Sequence, residues 1–470
     1  MRSYVACNRG QDAMGRLIAV SNRTAADPNS RAGGLAVAVW EALVATGGLW
    51  FGWSGELTEE EPHGVAMVQD EGVDFALADL SHREYEGFYL GYANRVLWPI
   101  LHYRIDLANF DADHFEVYAA VNRRFGKLIA PRLKTGDTVW VHDYHFLLLG
   151  EAMRQEGWRG PLGFFLHIPF PPPEMFRTLP EHLHIARAMC SFDVIGFQST
   201  TDQSNFIRYL LEDCEAELLE DGRILAFGAK LKVEVYPIGI DAEGFADCAR
   251  SAKADAAAKR IGRFLGERDL VIGVDRMDYS KGLPERFEAV GKLFDTFPDT
   301  HGRVSVTQIA PPSRSKVEEY QELRVQLDEL AGRINGDYGD LDWIPLRYLA
   351  RSYAREELAG LFRIASVGLV TPLRDGMNLV CKEFVMAQDA DDPGVLILSE
   401  FAGAAEQLDA ATLVNPHDAA AVAEAIAMAL AMPKTERIER WTNLYNIITT
   451  QDVGWWRRRF LADLEAVGAE

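Results

Sequence analysis

The sequence predicts two doubly wound α/β domains that face each other across a central cleft. Three observations lead there. Short β-branched or aromatic runs recur, each followed by a turn signal and a helical pattern, the order that a parallel sheet with covering helices requires. These runs fall into two sets separated by a break that contains proline and glycine. The length, 470 residues, also exceeds one ordinary core: about 150 residues per domain gives roughly two or three units.

The first set comprises "RLIAVSNR" (16–23), "DTVWVHDYH" (137–145), "LGFFLHIPF" (162–170), "FDVIGFQS" (192–199) and "LKVEVYPIGI" (231–240). It ends in "YPIGIDAEGF" (236–245), where Pro237 and Gly239 break the strand and mark a linker. A helical stretch rich in Ala and Lys, 246–266, precedes the second set. That set reads "DLVIGVDRMD" (269–278), "RVSVTQIAPP" (303–312), "ASVGLVTP" (365–372), "GVLILSEF" (394–401) and "ATLVNP" (411–416). The terminal "TQDVGWWRRRFLADLEAV" (450–467) reads as a helix expected to cross back onto the first domain. The expected units are 15–243, completed by 450–470, and 244–449.

Composition narrows the function. Hydrophobic residues make up 48% and charged residues 25% of the chain, a globular balance with no low-complexity block. The formal charge is −22, which argues against nucleic-acid or anionic-membrane partners, so any anion must be held by a local basic pocket. Cys7, Cys190, Cys214, Cys248 and Cys381 form no CxxC pair, so neither a disulfide framework nor a zinc site is implied. No apolar run approaches the roughly 18 residues of a membrane span, and the N-terminus lacks an apolar signal core. A cytoplasmic protein is expected.

Strand-end loops carry the chemistry, because ligands in open α/β sheets bind at the carboxyl ends of strands. Arg23 ends the first run, and "AGGLA" (32–36) follows, offering backbone N–H groups to an anion at a helix start. Asp143 and His167 each follow an apolar run directly. Asp143 can orient a hydroxyl, and His167 can donate to a sugar hydroxyl or to charge on a leaving group. A strand-end histidine satisfied by a backbone carbonyl explains the second equally well.

"DRMDYSKGL" (275–283) places Arg276 and Lys281 over one turn, which suits a diphosphate but also a solvated pair. Arg314 and Lys316, in a proline-stiffened loop, form another candidate anion clamp. "TPLRDGMNLVCKEF" (371–384) sets Asp375 eight residues before Glu383. On one helix that is a little over two turns, which would bring both acids to one side, with Glu383 near a ribose diol. A helix-start acid and a solvated glutamate fit too. "DAD" (111–113) and "DLD" (340–342) fall in polar turns, so no catalytic metal is expected.

The motifs "SNR", "GGLWFGWSGE", "VLWP", "HYR", "HDYH", "FFLHIPFPPPE", "GFQ", "EVYPIGI", "DYSKGLPERF", "TQIAPPSR", "AGRINGDYG", "TPLRDGMNLVCKEF" and "FAGAA" occur in order. Together they resemble the trehalose-6-phosphate synthase family over nearly the whole chain. The resemblance implies two Rossmann-like domains of the GT-B glycosyltransferase type and retaining glucosyl transfer from a nucleotide-glucose, UDP-glucose foremost, to glucose 6-phosphate. It implies no cofactor and no metal, and a homo-oligomer, dimer or tetramer, is expected.

Carried over residue by residue, the resemblance assigns the acceptor phosphate to Arg23 and Arg314, with Trp53, Tyr89 and Trp98 walling the acceptor sugar and Asp143 touching it. The donor diphosphate would meet Arg276, Lys281 and the N–H groups of Gly34, Leu379 and Val380, with Gly376, Met377 and Asn378 beside them. Glu383 would hold the ribose, and Asp375 and His167 the transferred glucose. Residues 1–14 are extra relative to the family's usual start and are expected to be dispensable. Two rivals stay open: a relative that uses glycerol 3-phosphate or couples cyclitols, and a sugar-nucleotide sensor without turnover, which would be expected to have lost Arg276, Lys281 or Asp375.

Overall fold

The computed structural model describes residues 15–26, 34–60, 62, 64–313 and 318–468. The amino-terminal strands are β1 (Leu17–Arg23), β2 (Gly48–Thr58), β3 (Ala66–Asp70), β4 (Val73–Ser81), β5 (Thr138–His142), β6 (Leu162–Phe165), β7 (Val194–Phe197), β8 (Glu217–Leu218), β9 (Ile224–Ala226) and β10 (Ala229–Val235). They form one sheet in the order β3-β4-β2-β1-β5-β6-β7-β10-β9-β8. Its centre is parallel, and antiparallel pairs β3/β4, β8/β9 and β9/β10 finish the edges. The second sheet holds β11 (Asp269–Val274), β12 (Val304–Ile309), β13 (Leu346–Leu349), β14 (Val367–Val370), β15 (Val395–Ser399) and β16 (Thr412–Val414). Its order is β13-β12-β11-β14-β15-β16, and its pairings are parallel.

Central strands are buried from end to end, as in β6, β7, β12 and β15, because helices cover both faces of a parallel sheet. This is why they read as continuous apolar runs. β2 escaped that reading: Gly48, Gly52 and Gly55 interrupt its run, and a register shift separates Trp53 from Leu57. Gly52 and Gly55 serve close packing, since a Cβ on Gly52 would lie 2.2 Å from the Ser21 carbonyl oxygen. β13, with one fully buried residue in four, was not anticipated either.

Each sheet reverses its winding beside its first strand. β1 lies between β2 and β5, and β11 lies between β12 and β14, so each sheet opens a crevice at these strand ends. The two crevices face each other. The chain crosses between sheets at 236–241 and again at 450–453, and the crossings touch. Val453 N–H donates to the Ile240 carbonyl at 3.1 Å, and a Cβ on Gly239 would lie 2.3 Å from the Asp452 backbone.

After the second crossing, helix Val453–Gly468 lies on the first sheet. Trp456 and Phe460 pack on Trp140, each at 4.7 Å between ring centroids, and the Tyr236 hydroxyl donates to Asp463 at 2.6 Å. Among the described residues, no helix is long and apolar enough to cross a membrane.

Direct contacts hold the two halves together around the cleft. Glu406, after β15, accepts hydrogen bonds from the N–H groups of Thr200 and Thr201 at 2.7 and 3.2 Å, capping a helix of the first half. Arg374 lies over Tyr103 of the first half at 4.0 Å and over Phe401 of the second at 5.2 Å. Gly376 meets the first half backbone to backbone: a Cβ there would sit 2.3 Å from the His167 carbonyl oxygen.

Candidate active site

The facing crevices enclose a cavity of about 660 Å³. From the first half it is lined by Arg23, Ala36, Tyr89, Trp98, Asp143 and His167, and from the second by Arg276, Lys281, Asp375, Met377, Asn378, Leu379 and Val380. Residues more than 350 positions apart thus meet in one site.

Local structure presents each group. Asp143 follows β5 with φ 76° and ψ 165°, a costly conformation for a residue with a side chain. It is held by its own N–H, which donates to Phe165 O at 2.8 Å, and by the His167 N–H, which donates to its carboxylate at 3.3 Å. Tyr89 and Trp98 come from a π-helical segment, Tyr85–Leu97, and its continuation Trp98–Leu101. The Trp98 N–H reaches Ala93 O, five residues back, as that wide helix requires. Tyr89 stacks on His145 at 5.8 Å and 11°.

On the opposite wall, Lys281 ends the turn Tyr279–Lys281 and Arg276 lies before it. Lys281 Nζ contacts Asp375 at 2.5 Å, and the Asn378 amide donates to the same carboxylate at 3.1 Å. Asn378 also caps helix Leu379–Ala387, accepting from Cys381 N–H at 3.2 Å. The N–H groups of Leu379 and Val380 belong to the first turn, which has no intrahelical acceptors, and the helix dipole adds positive potential there. Arg276 lies across the cleft over Trp98 at 5.8 Å. Three side-chain cations and one helix N-terminus therefore surround a single cavity in an acidic protein, a setting for a polyanion.

Two expectations need correction. Trp53 does not line the cavity. It is buried, gives its indole N–H to Glu56 O at 2.8 Å, and supports Arg23 at 4.6 Å and Tyr89 at 5.7 Å. Trp50, three residues earlier and therefore on the other face of β2, reaches the lining and donates to Ser21 Oγ at 2.8 Å.

The second correction concerns Asp375 and Glu383. They do not share a helix, because Asp375 lies in the loop after β14 and the helix begins at Leu379. Glu383 instead follows Leu379 by four residues and Val380 by three, which puts it on their face. Burial pushes its carboxyl up to about 7, against the pull of Arg355. Gly376 packs between the halves, and neither it nor Glu383 is among the residues that line the cavity. Gly34 opens helix Gly34–Thr46, while Gly33, Arg314 and Lys316 lie outside the described residues.

The sequence reading also missed a brace beneath the second wall. Arg286, 2% exposed, donates to Asp275 at 2.6 Å, Gln308 at 2.8 Å, Thr371 at 2.9 Å and Lys281 O at 3.4 Å. It ties together the ends of β11, β12 and β14 and the turn that carries Lys281. The available signal was an arginine among Leu283, Phe287 and Val290, on the apolar stripe of its helix. Asn22, Tyr144, His145, Gln198 and Asp275 also line the cavity without having been singled out as ligands.

Residues 2–466 match the model of glycosyltransferase family 20. The chain belongs to glycosyltransferase family 20. It is 47% identical over 458 residues to a trehalose-6-phosphate synthase of Sinorhizobium fredii, covering 96% of this chain and 99% of that one. Among solved structures it resembles the UDP-forming alpha,alpha-trehalose-phosphate synthase of Burkholderia xenovorans in complex with glucose-6-phosphate. There the TM-score is 0.93 at 44% identity, over 96% of this chain and 100% of the other. An E. coli structure bound with UDP-2-fluoro glucose matches with TM-score 0.92 at 43% identity, over 96% and 99%. The two facing parallel-sheet domains of this family 20 chain are those of a GT-B glycosyltransferase. The family match begins at residue 2, inside the segment read from the sequence as an extension.

Proposed function

We propose that the chain transfers glucose from UDP-glucose to glucose 6-phosphate with retention, giving trehalose 6-phosphate and UDP. One observation carries this reading: Arg23, Arg276, Lys281 and the first turn of helix Leu379–Ala387 converge on one cavity between two switch points. Two phosphorylated substrates need such cationic walls on both sides. Relatives bound with glucose-6-phosphate and with UDP-2-fluoro glucose support the same pair.

In this reading the acceptor lies on the first domain, 15–243 with 450–470, against Arg23, Tyr89, Trp98 and Asp143, and Arg314, outside the described residues, is assigned to its phosphate. The donor lies on the second domain, 244–449. Arg276, Lys281 and the N–H groups of Leu379 and Val380 take its diphosphate, Glu383 its ribose, and Asp375 and His167 its glucose. In a same-face route the bond from the anomeric carbon to the diphosphate oxygen breaks as the acceptor hydroxyl approaches that carbon. The hydroxyl proton passes to the departing diphosphate, whose growing charge Arg276 and Lys281 stabilise. The oligomer, dimer or tetramer, belongs to the same reading and is measured by light scattering.

The test is turnover of the purified chain with UDP-, GDP- and ADP-glucose against glucose 6-phosphate and glycerol 3-phosphate, with and without EDTA. UDP-glucose with glucose 6-phosphate is expected to give the highest kcat/KM, unchanged by chelation. Faster transfer to glycerol 3-phosphate, or UDP binding with no turnover of any pair, would replace this reading with a different acceptor or with a sensor.

Glu383 adds a pH signature. Its carboxyl, pushed up to about 7 by burial, accepts from two ribose hydroxyls only when ionised. UDP affinity is therefore expected to fall as pH drops through 7, approaching tenfold per pH unit well below it. Calorimetric titration from pH 8 to 5.5 checks this, with Glu383→Gln expected to bind more weakly and to flatten the profile. A sloped profile in Glu383→Gln would assign the titration to another group.

A further inference from the structure

His142 ends β5, is fully buried, and does not line the cavity. Its neighbour on β6 is Phe165, two residues before His167. The two imidazoles meet edge to edge, with His142 Nδ1 and His167 Nε2 3.1 Å apart. We propose that His142 is a positioning residue that fixes the tautomer of His167, so that His167 turns an N–H, on Nδ1, toward the transferred sugar. This rests on the reading of His167 as a donor-sugar contact.

A hydrogen bond between two neutral imidazoles holds one proton, so one ring donates and the other accepts. The surroundings of His142 decide which. Its Nε2 is buried with no partner, and the indole nitrogens of Trp140 and Trp456 are likewise buried without an acceptor. Both indoles are neighbours of the imidazole, at 4.6 and 6.3 Å between ring centroids. A proton on His142 Nε2 would place a third unsatisfied donor in this apolar pocket, and each such donor is costly. A proton on Nδ1 leaves Nε2 as an acceptor instead, in a pocket where both buried indole nitrogens are donors. His142 therefore donates from Nδ1 to His167 Nε2.

Burial keeps both rings uncharged. It holds His167 down to about 3, and it holds His142 well below the usual range, with His167 adding to the effect. A neutral His167 whose Nε2 accepts must carry its proton on Nδ1, the nitrogen left for the cavity that His167 lines. His167 is thereby a fixed hydrogen-bond donor to a sugar oxygen. It presents no lone pair to the cavity and cannot take a proton from the acceptor, which leaves that proton to the departing diphosphate.

Wild-type protein labelled with ¹⁵N-histidine tests the assignment without any substrate. Two-bond ¹⁵N–¹H correlations, assigned by loss of signal in His167→Gln, are expected to show the His167 proton on Nδ1 from pH 6 to 8. A proton on Nε2 overturns the proposal whether or not the chain turns over UDP-glucose, so its failure is separable from failure of the functional reading. Variants supply the second measurement. Asparagine can place an amide N–H where His142 carries Nδ1–H, glutamine matches the Nε2 position, and leucine has no donor. His142→Asn is expected to keep kcat within about threefold of wild type. His142→Gln and His142→Leu should lose at least about tenfold, the equivalent of one net hydrogen bond, at similar thermal stability. Equal kcat in the Asn and Leu variants would reduce His142 to a packing residue and overturn the proposal.

Discussion

Lys281→Ala is expected to lower turnover by at least tenfold, through loss of roughly 2–4 kcal/mol of transition-state stabilisation. The lysine is 9% exposed, so its charge acts in a poorly solvated cavity where it counts for more than in water. Its position is held from several sides: the turn Tyr279–Lys281 carries its backbone, Arg286 bonds its carbonyl, and Asp375 holds its ammonium at 2.5 Å. A preorganised cation needs no rearrangement as charge grows on the leaving diphosphate, and that is the origin of the large effect. The substitution also removes the ion-pair partner of Asp375, although Asn378 still donates to that carboxylate at 3.1 Å. Steady-state kinetics beside a thermal melt separates the two consequences. A kcat near that of wild type in a folded Lys281→Ala protein would remove the diphosphate from this turn.

Arg286→Met is expected to destabilise the second domain by about 3–5 kcal/mol, the usual cost of breaking a buried ion pair by removing one partner. Asp275, 6% exposed, would lose the cation bonded to it and keep only the longer-range pull of Lys281, and Gln308 and Thr371 would each lose a donor. The effect has a sign in pH. Burial already raises the Asp275 carboxyl, and Arg286 is the first influence that lowers it; without the arginine it rises further. A group whose folded pKa lies above its unfolded value binds more protons when folded, so the variant loses stability as pH rises above the unfolded value, about 4. Chemical denaturation at pH 5 and 8 should show the larger deficit at pH 8. Adding Asp275→Asn should recover part of it. A deficit independent of pH, with no recovery in the double variant, would show that shape and not charge makes the brace.

Particular residues show how far sequence alone reached into the site. Asp143 and His167 were legible because each follows an apolar run directly, and Arg276 and Lys281 because they share the turn region after one; strand ends are where an α/β sheet binds ligands. Arg286 was not, because its partners Asp275, Gln308 and Thr371 stand 11, 22 and 85 positions away, on three strands whose adjacency no local pattern reveals. Glu383 was named, with Asp375 wrongly placed on its helix. An eight-residue spacing fits a helix but does not establish one: Asp375 stands in the loop 371–378, and the Asn378 cap marks where the helix begins.

By itself, the sequence determined the central parallel strands of both sets, the linker near Pro237 and Gly239, the acidic net charge, and the identity of most cleft residues. These properties are local: burial on both faces of a parallel strand demands continuous apolar runs, and turns demand glycine and proline. Tertiary structure decided which of the named groups touch. It sent Arg374 to a stack between Tyr103 and Phe401, set Trp53 behind Arg23, and put His142 against His167. Those contacts depend on strand order, on the face each residue occupies, and on the approach of the two sheets, which arise from packing distant segments and leave no periodic trace in the chain.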